Sequence, residues 1–278
     1  MSKLYNDLVN IIDFEPDREE EVRTEKYCKS LQVIANILSS VVIILGIATI
    51  FCVYAEMLWV FYVFLIFTIV SLVLFGCYKK KYGVRVNRLI NDECNINKAL
   101  TSYMVIAQYY KRKTKMAGVL LLNISSILCY LGKFEEAKKV LELIRKYCDT
   151  PEGNAYRASM YAMIASREKD KEAVAQCVNE LEEMISKAGS PYMTTAYNII
   201  SKYPMIMEAE ENGDYAKALE LLEIDEEEAS NLKKVNVNYR LYKIAKVAGL
   251  EEEAAKHRAY VLEKGGDTIY KKELDNIK

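Results

Sequence analysis

Hydrophobic and polar positions follow two regimes along this chain. Between Ser30 and Tyr78 the only Asp, Glu, Lys, Arg or His is Glu56, near the midpoint. Residues 37–54 (ILSSVVIILGIATIFCVY) and 57–77 (MLWVFYVFLIFTIVSLVLFGC) form two back-to-back apolar runs around it. At a helical rise of about 1.5 Å per residue each run spans roughly 27 to 31 Å, the thickness of a bilayer's hydrocarbon core. The pattern predicts a transmembrane helical hairpin over residues 31–78. About thirty residues precede it, and they include Asp13, Glu15, Asp17, Glu19, Glu20 and Glu21, which is unlike the short basic start of a cleaved signal peptide.

Lysine and arginine set the expected orientation. Arg18, Arg23, Lys26 and Lys29 stand before the first run, and Lys79, Lys80, Lys81, Arg85 and Arg88 follow the second. The connection at Ala55–Glu56 has none, so both chain ends are expected in the cytoplasm of a multi-pass protein of the cell membrane. Tyr54, Trp59, Tyr78 and Tyr82 fall where an interfacial aromatic belt belongs. Glu56 reads as the solvated tip of the hairpin, the other reading being an intramembrane acid. Lys79–Lys81 reads as a stop-transfer signal that also attracts anionic headgroups.

Beyond Tyr82 the period changes to that of helices. Apolar residues recur at helical spacing, as in Val140, Leu141, Leu143 and Ile144, and no stretch alternates as a strand would. Gly132, Gly213, Gly249 and Gly265 sit where helices should stop. The fold class is therefore all-α. Self-comparison finds a repeat: LGKFEEAKKVLELI (131–144) resembles NGDYAKALELLEI (212–224) and AGLEEEAAKHRAYVL (248–262), with a weaker copy in EKDKEAVAQCVNELEEM (168–184). Aligned on Ala137, Ala173, Ala218 and Ala254, the copies are spaced by 36, 45 and 36 residues.

A period in the thirties, with a glycine turn, an aromatic two residues later and a small residue at the helix crossing, resembles a tetratricopeptide repeat (TPR). First helices are expected over 116–131, 152–167, 191–211 (kinked by Pro204) and 231–248. The second copy lacks the turn glycine and the aromatic, and Ile124–Ser125 and Leu241–Tyr242 replace the family's large–glycine pairing. The resulting organisation is a cytosolic N-terminal tail (1–30), the two-span hairpin (31–78), a juxtamembrane linker or degenerate repeat (79–115, with Ala99 lying 38 residues before Ala137), a TPR-like α-solenoid (116–264) and a C-terminal tail (265–278).

The resemblance implies a concave groove lined by the first helices and used to bind a peptide or partner helix. Its candidate residues are Asn123, Ser126 and Tyr130, then Ser159 with Ala158 and Ala162, then Tyr203 and Met207, and finally Asn236, Tyr239, Arg240, Lys243 and Lys246. Arg240, Lys243 and Lys246 bring three cations together, suiting an acidic peptide or a C-terminal carboxylate, the plainer reading being a solvated helix face. The basic-plus-asparagine clamp of the chaperone-binding members is absent, so that partner class is not carried over.

Composition narrows the rest. A net charge of −1 and a pI near 6.1 argue against nucleic-acid binding. Seven cysteines without a CxxC pair read as reduced thiols rather than a disulfide or zinc framework. The one histidine, His257, reads as a surface residue and cannot alone support a metal cluster or a relay. No nucleophile elbow, phosphate loop or dinucleotide motif occurs. The runs Glu226–Glu228 and Glu251–Glu253 spread around a helix instead of pairing in a cleft. No catalytic, cofactor or metal site is expected. The chain reads as a membrane-anchored adaptor, or alternatively as an accessory subunit of a transport or secretion complex; its Lys-, Glu-, Ile- and Tyr-rich composition is of a bacterial kind.

Overall fold

A computed structural model describes residues 2–54, 58–110, 115–221 and 229–277; the expected hairpin tip at Glu56 and the run Glu226–Glu228 lie outside them. All regular structure among the described residues is helical. After a short α1 (Lys3–Val9) come two long helices, α2 (Arg18–Tyr54) and α3 (Leu58–Asn91), then α4 (Ile96–Gln108). Helix pairs follow: α5 (Lys115–Leu131) with α6 (Phe134–Tyr147), and α7 (Pro151–Glu168) with α8 (Lys171–Ala188). Next come α9 (Pro191–Ile200), α10 (Tyr203–Glu211) and α11 (Tyr215–Leu221). The chain ends with α12 (Asn231–Val247), α13 (Glu251–Lys264) and α14 (Ile269–Asp275). The expected kink at Pro204 is a break: the helix stops at Ile200, and Pro204 sits in the first turn of α10, where its missing N–H costs nothing.

One turn recurs five times. Cys94, Gly132, Lys169, Gly213 and Gly249 all have positive φ, between 50° and 82°, at spacings of 38, 37, 44 and 36 residues. In four of them the next residue's N–H reaches back to a carbonyl five positions earlier in a Schellman pattern, Lys133 to Leu128 (2.8 Å), Asp170 to Ala165 (2.9 Å), Asp214 to Ala209 (2.8 Å) and Leu250 to Ala245 (2.9 Å), and in the first it reaches six back, Asn95 to Leu89 (2.8 Å). That residue's own carbonyl then accepts from the residue four further on, opening the second helix. The acceptor's partners are Ala99, Ala137, Val174, Ala218 and Ala254, each at most 3% exposed. Small side chains there let the two helices of a pair approach closely.

One difference from the sequence alignment follows. In the second copy the packed position is Val174, not the half-buried Ala173, because Lys169 takes the left-handed place of the glycine one residue off the assumed register. Of the two readings of 79–115, linker or degenerate repeat, the described residues fit the second: the end of α3 and α4 form a helix pair with the same turn. α3 is thus one uninterrupted helix, with exposed apolar residues such as Val63, Ile66 and Val73 in its first half and the buried Val86 and Leu89 in its second. Within α2 the stretch Arg18–Ala48 is long and apolar enough to cross a membrane, and no residue of its most apolar window is buried.

α2 and α3 run antiparallel and are joined below their apolar parts by a polar cluster. Glu20, 1% exposed, forms a two-pronged ion pair with Arg85 and accepts from Ser102 (2.7 Å) and Thr24 (3.2 Å). Thr24 also meets the Tyr82 hydroxyl at 2.7 Å, and Tyr27 stacks on Tyr82 with centroids 3.8 Å apart. Burial pushes the Glu20 carboxyl up, but Arg85, Ser102 and Thr24 outweigh it and hold the group below its ordinary value.

Neither end of the chain is a tail. Leu4 and Leu8 of α1, with Ile12, are buried in the main core beside Leu121, Ile124 and Leu141, and Asp7 accepts from Lys146 and Tyr147, both at 2.6 Å. Each such apolar side chain contributes about 1.5–3 kcal/mol. At the other end α14 buries Tyr270 and Leu274. Just before it, Asp267 accepts from the Ile96 and Asn97 N–H groups (2.6 and 2.8 Å), satisfying two orphan donors at the start of α4. Asn231 of α12 donates to the Asp92 and Lys264 carbonyls at 3.1 Å. The last repeat therefore rests on the α3–α4 turn of the first, and the array closes on itself.

Candidate partner-binding cavity

Closure leaves a cavity of about 230 Å³ between the turn ends of α7, α10 and α11 and the facing sides of α12 and α14. Its ionisable lining comprises Arg167, Lys169, Arg240 and Lys243 against Glu210 and Glu273, an excess of cations. Phe134, Asn236, Tyr239, Ile269 and Tyr270 supply the rest of the contact surface.

The groups are held in a definite order. Arg240 is ion-paired to Glu210, and Tyr239 donates to Glu273. The Lys243 ammonium lies 4.5 Å from the centre of the Tyr239 ring, a cation–π arrangement. Arg167 donates to the Tyr270 hydroxyl, with its guanidinium 4.9 Å from that ring, and has no carboxylate partner among the described residues. Tyr239 and Tyr270 meet at 5.2 Å in a tilted pair. Burial raises the Glu273 carboxyl, although Arg167 pulls it the other way. A guanidinium bonded to a single hydroxyl oxygen keeps donors for a further oxygen ligand, because Arg carries five N–H groups.

Of the residues expected in the groove, Asn236, Tyr239, Arg240 and Lys243 line this cavity. Tyr130 lies behind it, within electrostatic reach of Tyr270 and Arg167, and Ser126 bonds to the Tyr130 hydroxyl. Tyr203 stands within reach of Arg167 and Arg240. Met207 is a core residue at 3% exposure. Ser159 bonds to the Ala155 carbonyl of its own helix (2.7 Å), and Asn123 is half-buried outside the cavity, as are the core alanines Ala158 and Ala162. Lys246 points to another face and pairs with Glu251 at 2.9 Å, so the expected cation trio is divided.

Arg167, Lys169, Tyr270 and Glu273 were not foreseen. Arg167 had a legible signal: it stands two residues before its turn's positive-φ residue, as Tyr130 does in the preceding copy. Tyr270 and Glu273 had none, since they follow the last repeat. His257 also differs from expectation, being half-buried with Nδ1 2.8 Å from Asn238 Oδ1.

A second cleft, of about 430 Å³, lies between the N-terminal segment and α4, lined by Tyr5, Ile12, Phe14, Met104 and Val105 with Asp13 and Glu21. Its lining includes no Lys, Arg or His. No group of His, Cys, Asp and Glu among the described residues could hold a metal ion. No protein-family model, curated protein or solved structure matches this chain.

Proposed function

We propose that this protein is a membrane-anchored scaffold. α2 and α3 cross the bilayer as a two-span hairpin with both chain ends cytosolic, and the tetratricopeptide-type array below them captures an acidic segment of a protein partner in the Arg167–Arg240–Lys243 cavity. The observation that carries this reading is the continuity of α3, whose exposed apolar half belongs to the hairpin and whose buried half is the first helix of the first repeat. One helix thereby welds the binding array to the anchor, with Glu20–Arg85 bracing the joint.

The cavity favours an anion over a cation. An incoming carboxylate would meet Arg167 without displacing an existing carboxylate and would compete for Arg240 with Glu210. A charge-assisted bond of this kind contributes about 1.5–3 kcal/mol. The cavity admits a side chain or a chain end, not a whole helix, so recognition is of a short acidic segment.

A photo-crosslinking amino acid at Asn236, introduced into the full-length protein in its native membrane, tests the reading. We expect a discrete adduct that disappears when Arg240→Glu and Lys243→Glu are combined with it. An adduct pattern indifferent to that charge reversal refutes the cavity as the capture site. Replacing residues 31–78 by an unrelated two-span anchor should leave the adduct intact; its loss would mark the hairpin as a subunit contact in a larger membrane complex.

A further inference from the structure

Helix geometry fixes which end of the array lies nearest the hairpin's apolar part. Glu20 joins Arg85 of α3 to Ser102 of α4 at one level. Seven residues back along α3 lead from Arg85 to Tyr78, and seven forward along the antiparallel α4 lead from Ser102 to Tyr109, each an advance of about 10 Å. Tyr109 therefore stands level with Tyr78 and Tyr27, which stack at 5.3 Å where the apolar run of α3 ends. Its hydroxyl is within electrostatic reach of Lys29, Glu25 and Cys28.

Other helix ends gather at this level. Ser2 at the head of α1 donates to the Ala107 carbonyl (2.5 Å). The first turn of α5 packs beside the end of α6, where a Cβ added to Gly118 would meet Cys148 at 2.8 Å. On that first turn Ala117 is buried, but Met116 and Val119 face outward at 57% and 39% exposure. Around the same level Lys26, Lys29, Lys79, Lys80 and Lys81 are exposed, and Glu25 pairs with Lys29 alone. Cations, aromatic hydroxyls and exposed apolar side chains in one plane are what an anionic headgroup layer accommodates.

We infer that the end of the array formed by Tyr109 of α4 and the first turn of α5 rests on the anionic headgroups of the bilayer that holds α2 and α3, with Met116 at the headgroup level and the five lysines supplying the attraction. The inference rests on the two helices spanning that bilayer. It adds a second, peripheral contact that fixes how the array is tilted, so the cavity is presented at a set angle to the membrane instead of swinging on the hairpin.

The test is nitroxide accessibility of the full-length protein in vesicles of phosphatidylcholine, with and without phosphatidylglycerol, in a Cys77→Ser background. Labels are placed at Met116→Cys, at Val73→Cys within the apolar half of α3, and at Asp92→Cys on the far turn, about 20 Å along α3 from Tyr78. We expect accessibility of the 116 label to a water-soluble nickel chelate to fall several-fold below that of the 92 label in anionic vesicles. It should return towards the 92 value in pure phosphatidylcholine, and when the five lysines are changed to glutamine. A 116 label as accessible as the 92 label, with the 73 label lipid-embedded, overturns the inference and leaves the anchor standing. A solvent-accessible 73 label overturns the anchor reading and this one with it. Shielding of the 116 label that is independent of anionic lipid and disappears on dilution marks a second copy of the chain and overturns the inference as well.

Discussion

The three turn glycines offer a controlled test of array closure. Gly132, Gly213 and Gly249 hold the same left-handed conformation, at φ of 82°, 73° and 73°. An alanine in that region costs about 1 kcal/mol from backbone sterics alone. At Gly213 and Gly249 an added Cβ meets nothing within 4 Å, so Gly213→Ala and Gly249→Ala should each lower stability by about 1 kcal/mol. At Gly132 the same atom would lie 2.5 Å from Ile269 Cδ1 and 3.1 Å from Cγ1, so the Ile269 side chain must shift to admit it. Overpacking of this kind adds about 1–3 kcal/mol, for a total of about 2–4 kcal/mol. Urea unfolding in detergent, followed by far-ultraviolet circular dichroism, reads the loss. Adding Ile269→Ala, which removes the obstructing atoms, should bring the cost of Gly132→Ala back to about 1 kcal/mol. If Gly132→Ala and Gly249→Ala agree within about 0.5 kcal/mol, α14 is not seated on the α5–α6 turn and the closed array is wrong.

The same assay reaches further. Lys169 adopts φ of 61° without being glycine, so Lys169→Gly should raise stability by about 1 kcal/mol; a loss would place the residue outside the left-handed region. Arg85→Met leaves the buried Glu20 with two hydroxyl donors and only the more distant Arg23 guanidinium, at 3.9 Å, at a cost of about 3 kcal/mol, and adding Glu20→Gln should recover part of that loss. Because the folded value of Glu20 lies below its ordinary 4.5, the unfolded chain binds more protons in that interval. Its stabilisation is thus complete above about pH 4.5 and lost as pH falls through the lowered folded value, a slope that Glu20→Gln should flatten in acid titrations. Glu273, raised by burial, has the opposite sign, so Glu273→Gln should relieve a penalty that grows as pH rises past the ordinary value. Of the cysteines with described side chains, Cys77 is the exposed one, and burial pushes Cys129 to about 12 and Cys28, Cys94 and Cys177 to about 11. Ellman's reagent should react with these four thiols only on unfolding; prompt reaction of Cys129 in the folded protein would contradict its packing.

What could be read from the chain was whatever short-range chemistry dictates. A glycine forced into the left-handed region and an alanine at a helix crossing are local requirements, so Gly132–Ala137, Gly213–Ala218 and Gly249–Ala254 announce themselves as copies of one turn. Where the turn is made by Cys94 or Lys169 the requirement is unchanged, but its usual residue is missing, and the second copy slips by one position. Closure was invisible for another reason. Asp267 caps a helix that begins 171 residues earlier, and α14 carries no repeat pattern to relate it to anything it touches. α1 is similarly mute: Leu4, Leu8 and Ile12 form too short a pattern to distinguish a docked helix from a tail. The groove residues were half legible, because the inner face of α12 follows from helical period, whereas the α14 residues that complete it follow from the closure.

Closure also changes what the cavity can be. In an open array a concave face is a strip along which a partner helix lies, and its chemistry is a sum over repeats. Here Tyr270 and Glu273 of α14 occupy that face, bonded to Arg167 and Tyr239, so what remains is a pocket with a fixed outline. The residues forming one wall of that pocket belong to the segment that, through Asp267, caps α4, and α4 in turn holds Glu20 through Ser102. A ligand that drew Arg167 away from Tyr270 would loosen α14, and the strain would pass to the α3–α4 turn, where the end of α3, the start of α4 and the last helix pair meet. Among the described residues the joint is tied by the Glu20–Arg85 ion pair, the Ser102–Glu20 bond and the Asp267 cap, so a shift of α14 would be felt by α2 and α3 through a handful of named bonds.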